Sequence, residues 1–225
     1  MRKAIFIVVL LYCASFCEAQ RIAAYVSSGA TVSQIEGDEL KGFDKWGYTG
    51  SVGAMINLSE NGMWKMSLEA GYSMRGAYNN SGDPYNIKVN LSYVDVPLTA
   101  FFRDPYGGIL IGVGPVYSRL VQQPHDVISY NPDYFIPDTS NMTFLKNDLA
   151  LAGEIRFTIW SGLQFSVRYQ RSIISIKDSW NFTEISNNRA HSWKNVGIYN
   201  SSVMARLIWQ FGGLDEQRSK KHRRR

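Results

Sequence analysis

Glu154 and Arg156 stand two residues apart in "NDLALAGEIRFTIW" (Asn147–Trp160), a run whose neighbours alternate between large apolar and small residues. In an extended chain, residues two apart share a face. The two charges therefore lie with Ala150, Ala152 and Thr158, opposite Leu149, Leu151, Ile155, Phe157 and Ile159. The same isolation recurs elsewhere. In "WKMSLEAGYSMR" (64–75), Lys65, Glu69 and Arg75 oppose Trp64, Met66, Leu68, Tyr72 and Met74. In "LQFSVRYQR" (163–171), Arg168 opposes Leu163, Phe165, Val167 and Tyr169. Asp95 and Arg206 sit singly in runs of the same kind. Charges withdrawn from water must be paired. Three acids (Glu69, Asp95, Glu154) facing five bases (Lys65, Arg75, Arg156, Arg168, Arg206) can form a salt-bridge plug. The functional alternative for the same residues is a gate or an anion-selective passage.

Other chemistry is thinly supplied. His125, His191 and His222 are the three histidines, and spacing assembles no nucleophile, base and orienting group around them. His125-Asp126 and His191-Ser192 fall in long connections, where an enzyme acting on lipid or peptide would need them. Non-enzymatic function is the expectation. Cys13 and Cys17 both lie in the first nineteen residues. The acidic stretch "GDELKGFDKWG" (37–47) does not fit a calcium loop, because Leu40 and Lys41 interrupt the ligand spacing. No cofactor and no metal are expected.

Elements must hold those charges, and the chain supplies strands. Residues 1–19 combine a basic start (Arg2, Lys3), an apolar run and a small residue at Ala19, the layout of a secretory signal peptide cut before Gln20. The chain carries 24 Lys and Arg against 19 Asp and Glu, a net charge of +5. Two bases and one acid lie in the leader, and six bases and two acids follow Phe211. Residues 20–211 therefore hold 16 of each sign. A neutral exported body excludes nucleic acid as a partner class.

Dyad-patterned runs recur at about 21–33, 48–58, 64–76, 87–103, 108–119, 148–160, 163–174 and 196–211. Short turns ("SENGM", "DPYG", "SG") alternate strictly with longer connections at 34–47, 77–86, 120–147 and 175–195. That asymmetry predicts an all-β, eight-stranded, antiparallel up-and-down transmembrane barrel over 20–211, in the outer membrane of a Gram-negative bacterium. The apolar stripes then face outer-membrane lipid. Aromatics fall at both ends of the runs. Trp64, Trp160, Trp209 and Phe211 mark the short-turn end, and Trp46, Tyr48, Tyr169 and Trp193 the loop end, as two interfacial girdles require.

The fourth run breaks the pattern. Val89 and Leu91 share one parity and Val94, Val96 and Leu98 the other, which predicts a bulge near Ser92-Tyr93. Pro97, expected opposite Gly114-Pro115, predicts a local gap in the ladder. The connection 120–147 is rich in Pro and Tyr and suits binding a glycan or protein. The segment 212–225 forms a basic tail, with Arg218, Lys220, Lys221, Arg223, Arg224 and Arg225 in its last eight residues. It is expected on the periplasmic side as a hook for a periplasmic protein or other anionic partner.

The stretches "SQIEGDELKGFDKWGYTG" (33–50), "YVDVP" (93–97) and "GVGP" (112–115) resemble the PorT-type outer-membrane barrels of Bacteroidetes. The resemblance spans about residues 20–211. It implies an eight-stranded barrel and, because one such barrel assists type IX secretion, a secretion-accessory role. A small porin is the alternative reading. The tail departs from barrels that stop at a terminal Phe.

Overall fold

The computed structural model describes residues 22–37, 42–79, 85–105, 108–122, 128–130, 135–137, 143–177, 182–186, 189–193 and 197–211. Within these, side chains are described outside 79–88, 123–142 and 178–196. Twelve strands follow in chain order: β1 (Ile22–Glu36), β2 (Lys45–Asn57), β3 (Trp64–Asn79), β4 (Tyr85–Arg103), β5 (Ile109–Gln122), β6 (Ile128–Tyr130), β7 (Phe135–Pro137), β8 (Asn147–Trp160), β9 (Leu163–Ser172), β10 (Phe182–Ser186), β11 (Arg189–Trp193) and β12 (Tyr199–Phe211). Eight of them pair in the order β3-β2-β1-β12-β9-β8-β5-β4, and β4 returns to β3, so the sheet closes on itself. Every pairing is antiparallel. All eight expected strands are present.

Alternation of side chains explains the closure. Along β5, Leu110, Val116, Ser118 and Leu120 are buried, while Ile111, Val113, Tyr117 and Val121 are exposed. The same division runs around the barrel and leaves a continuous apolar outer band. Such a band is untenable in water and matches hydrocarbon. The short turns are tight. Leu58 N–H donates to Trp64 O at 2.9 Å, and Gly62 (φ 68°) supplies the left-handed residue that side chains resist. Gly162 (φ 84°) does the same between β8 and β9.

Ladders run further toward the long-loop end than the residue pattern indicates. β1 continues to Glu36 and β2 starts at Lys45, because Ser33 still pairs with Lys45 and Glu36 with Tyr199. The connections 120–147 and 175–195 are not wholly irregular. β6 extends the edge of β4 (Tyr85 opposite Tyr130), and β7, β10 and β11 form a separate three-stranded sheet joining the two loops. These strands of three to five residues are too short to display a period.

The predicted irregularity lies at Ser92/Tyr93, but its mechanism differs from the expectation. Ser92 pairs with Gln122 and Tyr93 with Leu120, so the extra residue is Val121 on β5. β4 does not switch parity: Val89, Leu91, Tyr93 and Asp95 are all buried on the inner face. The apparent switch arose because the lumen is apolar at that height. Pro97 pairs with Val116 rather than with Gly114-Pro115, and pairing lapses next to it, at Leu98 and Thr99. A Cβ at Gly114 would lie 1.9 Å from Leu98 O, so the two backbones approach there as only glycine permits.

Candidate functional site

The lumen is filled in layers. At the short-turn end Tyr25, Met55, Phe101, Leu110 and Ile208 form an apolar floor. Gly53 and Gly112 make room for it, since a Cβ on either would strike the Tyr25 or Phe101 ring at 2.5 and 2.4 Å. Lys65 is buried at this level, in register with Phe101.

Above the floor lies a knot of five charges. Arg168 lies directly opposite Glu154 across the β8–β9 pair. Its Nη2 and Nε donate to Glu154 Oε2 at 2.6 and 2.9 Å, and Nη2 and Nη1 also reach Glu69 across the lumen at 3.1 and 3.2 Å. Arg206, on β12, spans the same two acids, with Nη1 on Glu69 Oε1 and Nη2 on Glu154 Oε1, both at 2.6 Å. Arg156 Nε donates to Glu154 Oε1 at 2.7 Å. Its guanidinium stacks over Phe101 at 4.5 Å and Tyr25 at 4.9 Å. Tyr25 Oη donates to Glu69 Oε2 at 2.9 Å. All five charges are buried. Two glutamates thus tie four strands together through three arginines.

A second layer lies above. Arg75 pairs with Asp95, and Ser73 Oγ donates to the same carboxylate at 2.7 Å. With its amide oriented by the hydrogen-bond network, Gln170 Oε1 accepts from Arg75 Nη1 and Nη2 at 3.2 and 3.1 Å. Asp148 accepts from Ser172 Oγ at 2.8 Å and lies 4.0 Å from Arg75 Nη1. Asn200 Nδ2 donates to Tyr93 Oη at 3.0 Å, and Arg75 stacks over the Tyr93 ring at 5.1 Å. Ile35, Ala77, Val89, Leu91, Tyr93, Leu120, Phe144, Ile176 and Ile198 close the barrel above this layer as an apolar roof.

The eight charges named from the sequence are all buried in the lumen, at different heights. Glu69, Glu154, Arg156, Arg168 and Arg206 meet; Arg75 and Asp95 belong to the upper layer. Asp148 was missed although it shares the parity of Ala150 and Glu154. Tyr25, Tyr93 and Asn200 carried no charge to mark them. Among the girdle residues, Trp64, Trp160, Trp209 and Phe211 are exposed at the short-turn end, and Trp46, Tyr48 and Tyr169 toward the loop end. Trp64 packs edge-on against Phe102 at 5.3 Å.

The Trp193 side chain lies outside the described ones, as do His125, His222, residues 1–21 and the tail residues 212–225. His191 is on β11 in register with Glu184, and Ser192 with Thr183. Among the described residues, no three His, Cys, Asp or Glu gather as a metal site. No helix there is long and apolar enough to cross a membrane.

The model of the outer membrane protein beta-barrel domain family matches residues 4–198, most of the chain, and the chain belongs to that family. No curated protein matches its sequence. Solved structures resemble it at low identity. Ail, the attachment invasion locus protein of Yersinia pestis, is 13% identical, with 85% of this chain and 99% of that one covered and a TM-score of 0.44. OprG of Pseudomonas aeruginosa is 13% identical over 86% and 97% of the two chains, with a TM-score of 0.43. A major outer membrane protein of Thermus thermophilus is 11% identical over 84% and 99%, with a TM-score of 0.44.

Proposed function

We propose that this outer-membrane β-barrel protein is a sealed, non-enzymatic membrane anchor that recognises partners at its two ends, as an interaction or secretion-accessory component. The observation that carries the proposal is the filled lumen: an apolar floor, a five-charge knot, a second polar layer and an apolar roof. An eight-stranded barrel has room for its own side chains and little more. A porin would need a wet path, and every layer here opposes one. Recognition then falls to the loop sheet of β7, β10 and β11 on one side and to the basic tail on the other. The PorT-like stretches support the secretion-accessory form of this reading.

Two measurements on one preparation test it. Proteoliposomes carrying the protein should show no swelling in small sugars, and sustained swelling would replace the anchor with a channel. Deleting residues 214–225 should spare the folded barrel's gel mobility while abolishing salt-sensitive crosslinks to a periplasmic partner. Unchanged crosslinks would remove the tail from the mechanism.

A further inference from the structure

Beneath the roof, four buried oxygens have no hydrogen-bond partner among the described residues: Asp95 Oδ1, Ser118 Oγ, Asp148 Oδ1 and Asn200 Oδ1. Their residues are 6%, 0%, 0% and 2% exposed. Register brings three of them together on neighbouring strands. Asp95 on β4 lies opposite Ser118 on β5, and Ser118 lies opposite Asp148 on β8. Asn200 joins them from β12, with its Nδ2 on Tyr93 Oη at 3.0 Å and 3.5 Å from Asp148 Oδ2. A carboxylate only accepts, so the nitrogen end of that amide is turned to Asp148 and the oxygen end is the unpartnered one. The two aspartates are unequally held. Asp95 Oδ2 takes Arg75 and Ser73, whereas Asp148 Oδ2 stands 4.0 Å from Arg75 Nη1, beyond hydrogen-bond reach.

We propose that Asp95, Ser118, Asp148 and Asn200 bind one hard metal cation, of the calcium or sodium kind, enclosed in the lumen beneath the roof. Carboxylate and amide oxygens can only accept, and three of the four atoms are of those types. A water molecule has two protons to give and carries no net charge, whereas a cation attracts all four oxygens at once. Charge points the same way. One guanidinium faces two carboxylates in this layer, and a buried carboxylate requires a countercharge. The Arg75 guanidinium is turned to Asp95 Oδ2 and Gln170 Oε1, which leaves both Oδ1 atoms to the ion. The donor set selects the class of metal. Carboxylate, amide and hydroxyl oxygens suit calcium, magnesium or sodium, and no nitrogen or sulfur is offered to a softer ion. Two of the four ligands are neutral, so the site asks for one or two positive charges and no more.

Refolding tests this, because an ion enclosed between knot and roof must enter before the barrel closes. The full chain, stripped of metal in urea, is refolded into zwitterionic vesicles in calcium chloride, sodium chloride or tetramethylammonium chloride at equal ionic strength. Tetramethylammonium cannot be coordinated by oxygens at metal distances and serves as the control. The wild-type barrel should unfold at a higher urea concentration in calcium or sodium than in the control salt. Ser118→Ala removes an oxygen that bonds nothing else, so its midpoint in the control salt should match the wild type's. Its affinity for the stabilising ion should fall about tenfold, a difference of about 1.4 kcal/mol. Asp148→Asn keeps an acceptor for Ser172 and leaves Arg75 and Asp95 as an even pair, and it should abolish the salt effect. Identical wild-type midpoints in the three salts would overturn the site. So would an ion-specific gain that both variants retain in full, because the ion would then lie elsewhere on the barrel.

Discussion

The two charged layers of the lumen use the same residue types and differ in how completely they are satisfied. In the lower one, each oxygen of Glu69 and Glu154 takes two donors, and no buried polar atom of its five charges is left without a partner. In the upper one, Arg75 Nε, Asp95 Oδ1, Asp148 Oδ1 and Asn200 Oδ1 are buried with no protein partner among the described residues. The lower layer sets three arginines against two glutamates, and the upper sets one arginine against two aspartates. The lower layer is the fastener, because several bonds fix each of its groups. The upper layer holds its groups with fewer bonds each.

The largest effect is expected in the lower layer. Glu154→Ala leaves three buried arginines sharing a single carboxylate, and should destabilise the barrel by about 3–5 kcal/mol in urea unfolding from lipid vesicles. Arg75→Met should cost less, about 1–3 kcal/mol, because Asp95 and Asp148 keep their bonds from Ser73 and Ser172. Equal losses from the two changes would erase the distinction between the layers. The smallest effect is expected outside the lumen. Glu36→Gln removes an ion pair whose arginine is 55% exposed, and should shift stability by less than about 1 kcal/mol.

Much of this arrangement was legible in the sequence because a strand's period of two sorts its residues without any knowledge of the fold. Lys65, Glu69 and Arg75 fell on one face for that reason. Their heights did not follow. Parity says nothing of height, because strands in a barrel are tilted and staggered. Asp95 shares the inward face with Glu69 but lies in the upper layer, in register with Ser118, and Ser118 with Asp148. The roof was hidden for a related reason. Val89 and Leu91 are apolar and face inward, and an apolar residue in such a strand reads as lipid-facing unless its neighbours fix the parity.

The claim that the lower layer is one interlocked unit is tested most directly by a double-mutant cycle on Glu154 and Arg168, read as unfolding free energy in lipid vesicles. Glu154→Ala combined with Arg168→Met should be milder than the sum of the two single changes, with a coupling energy of about 1–3 kcal/mol. Additive losses, with no coupling between these two residues, would show that the layer is not one interlocked unit.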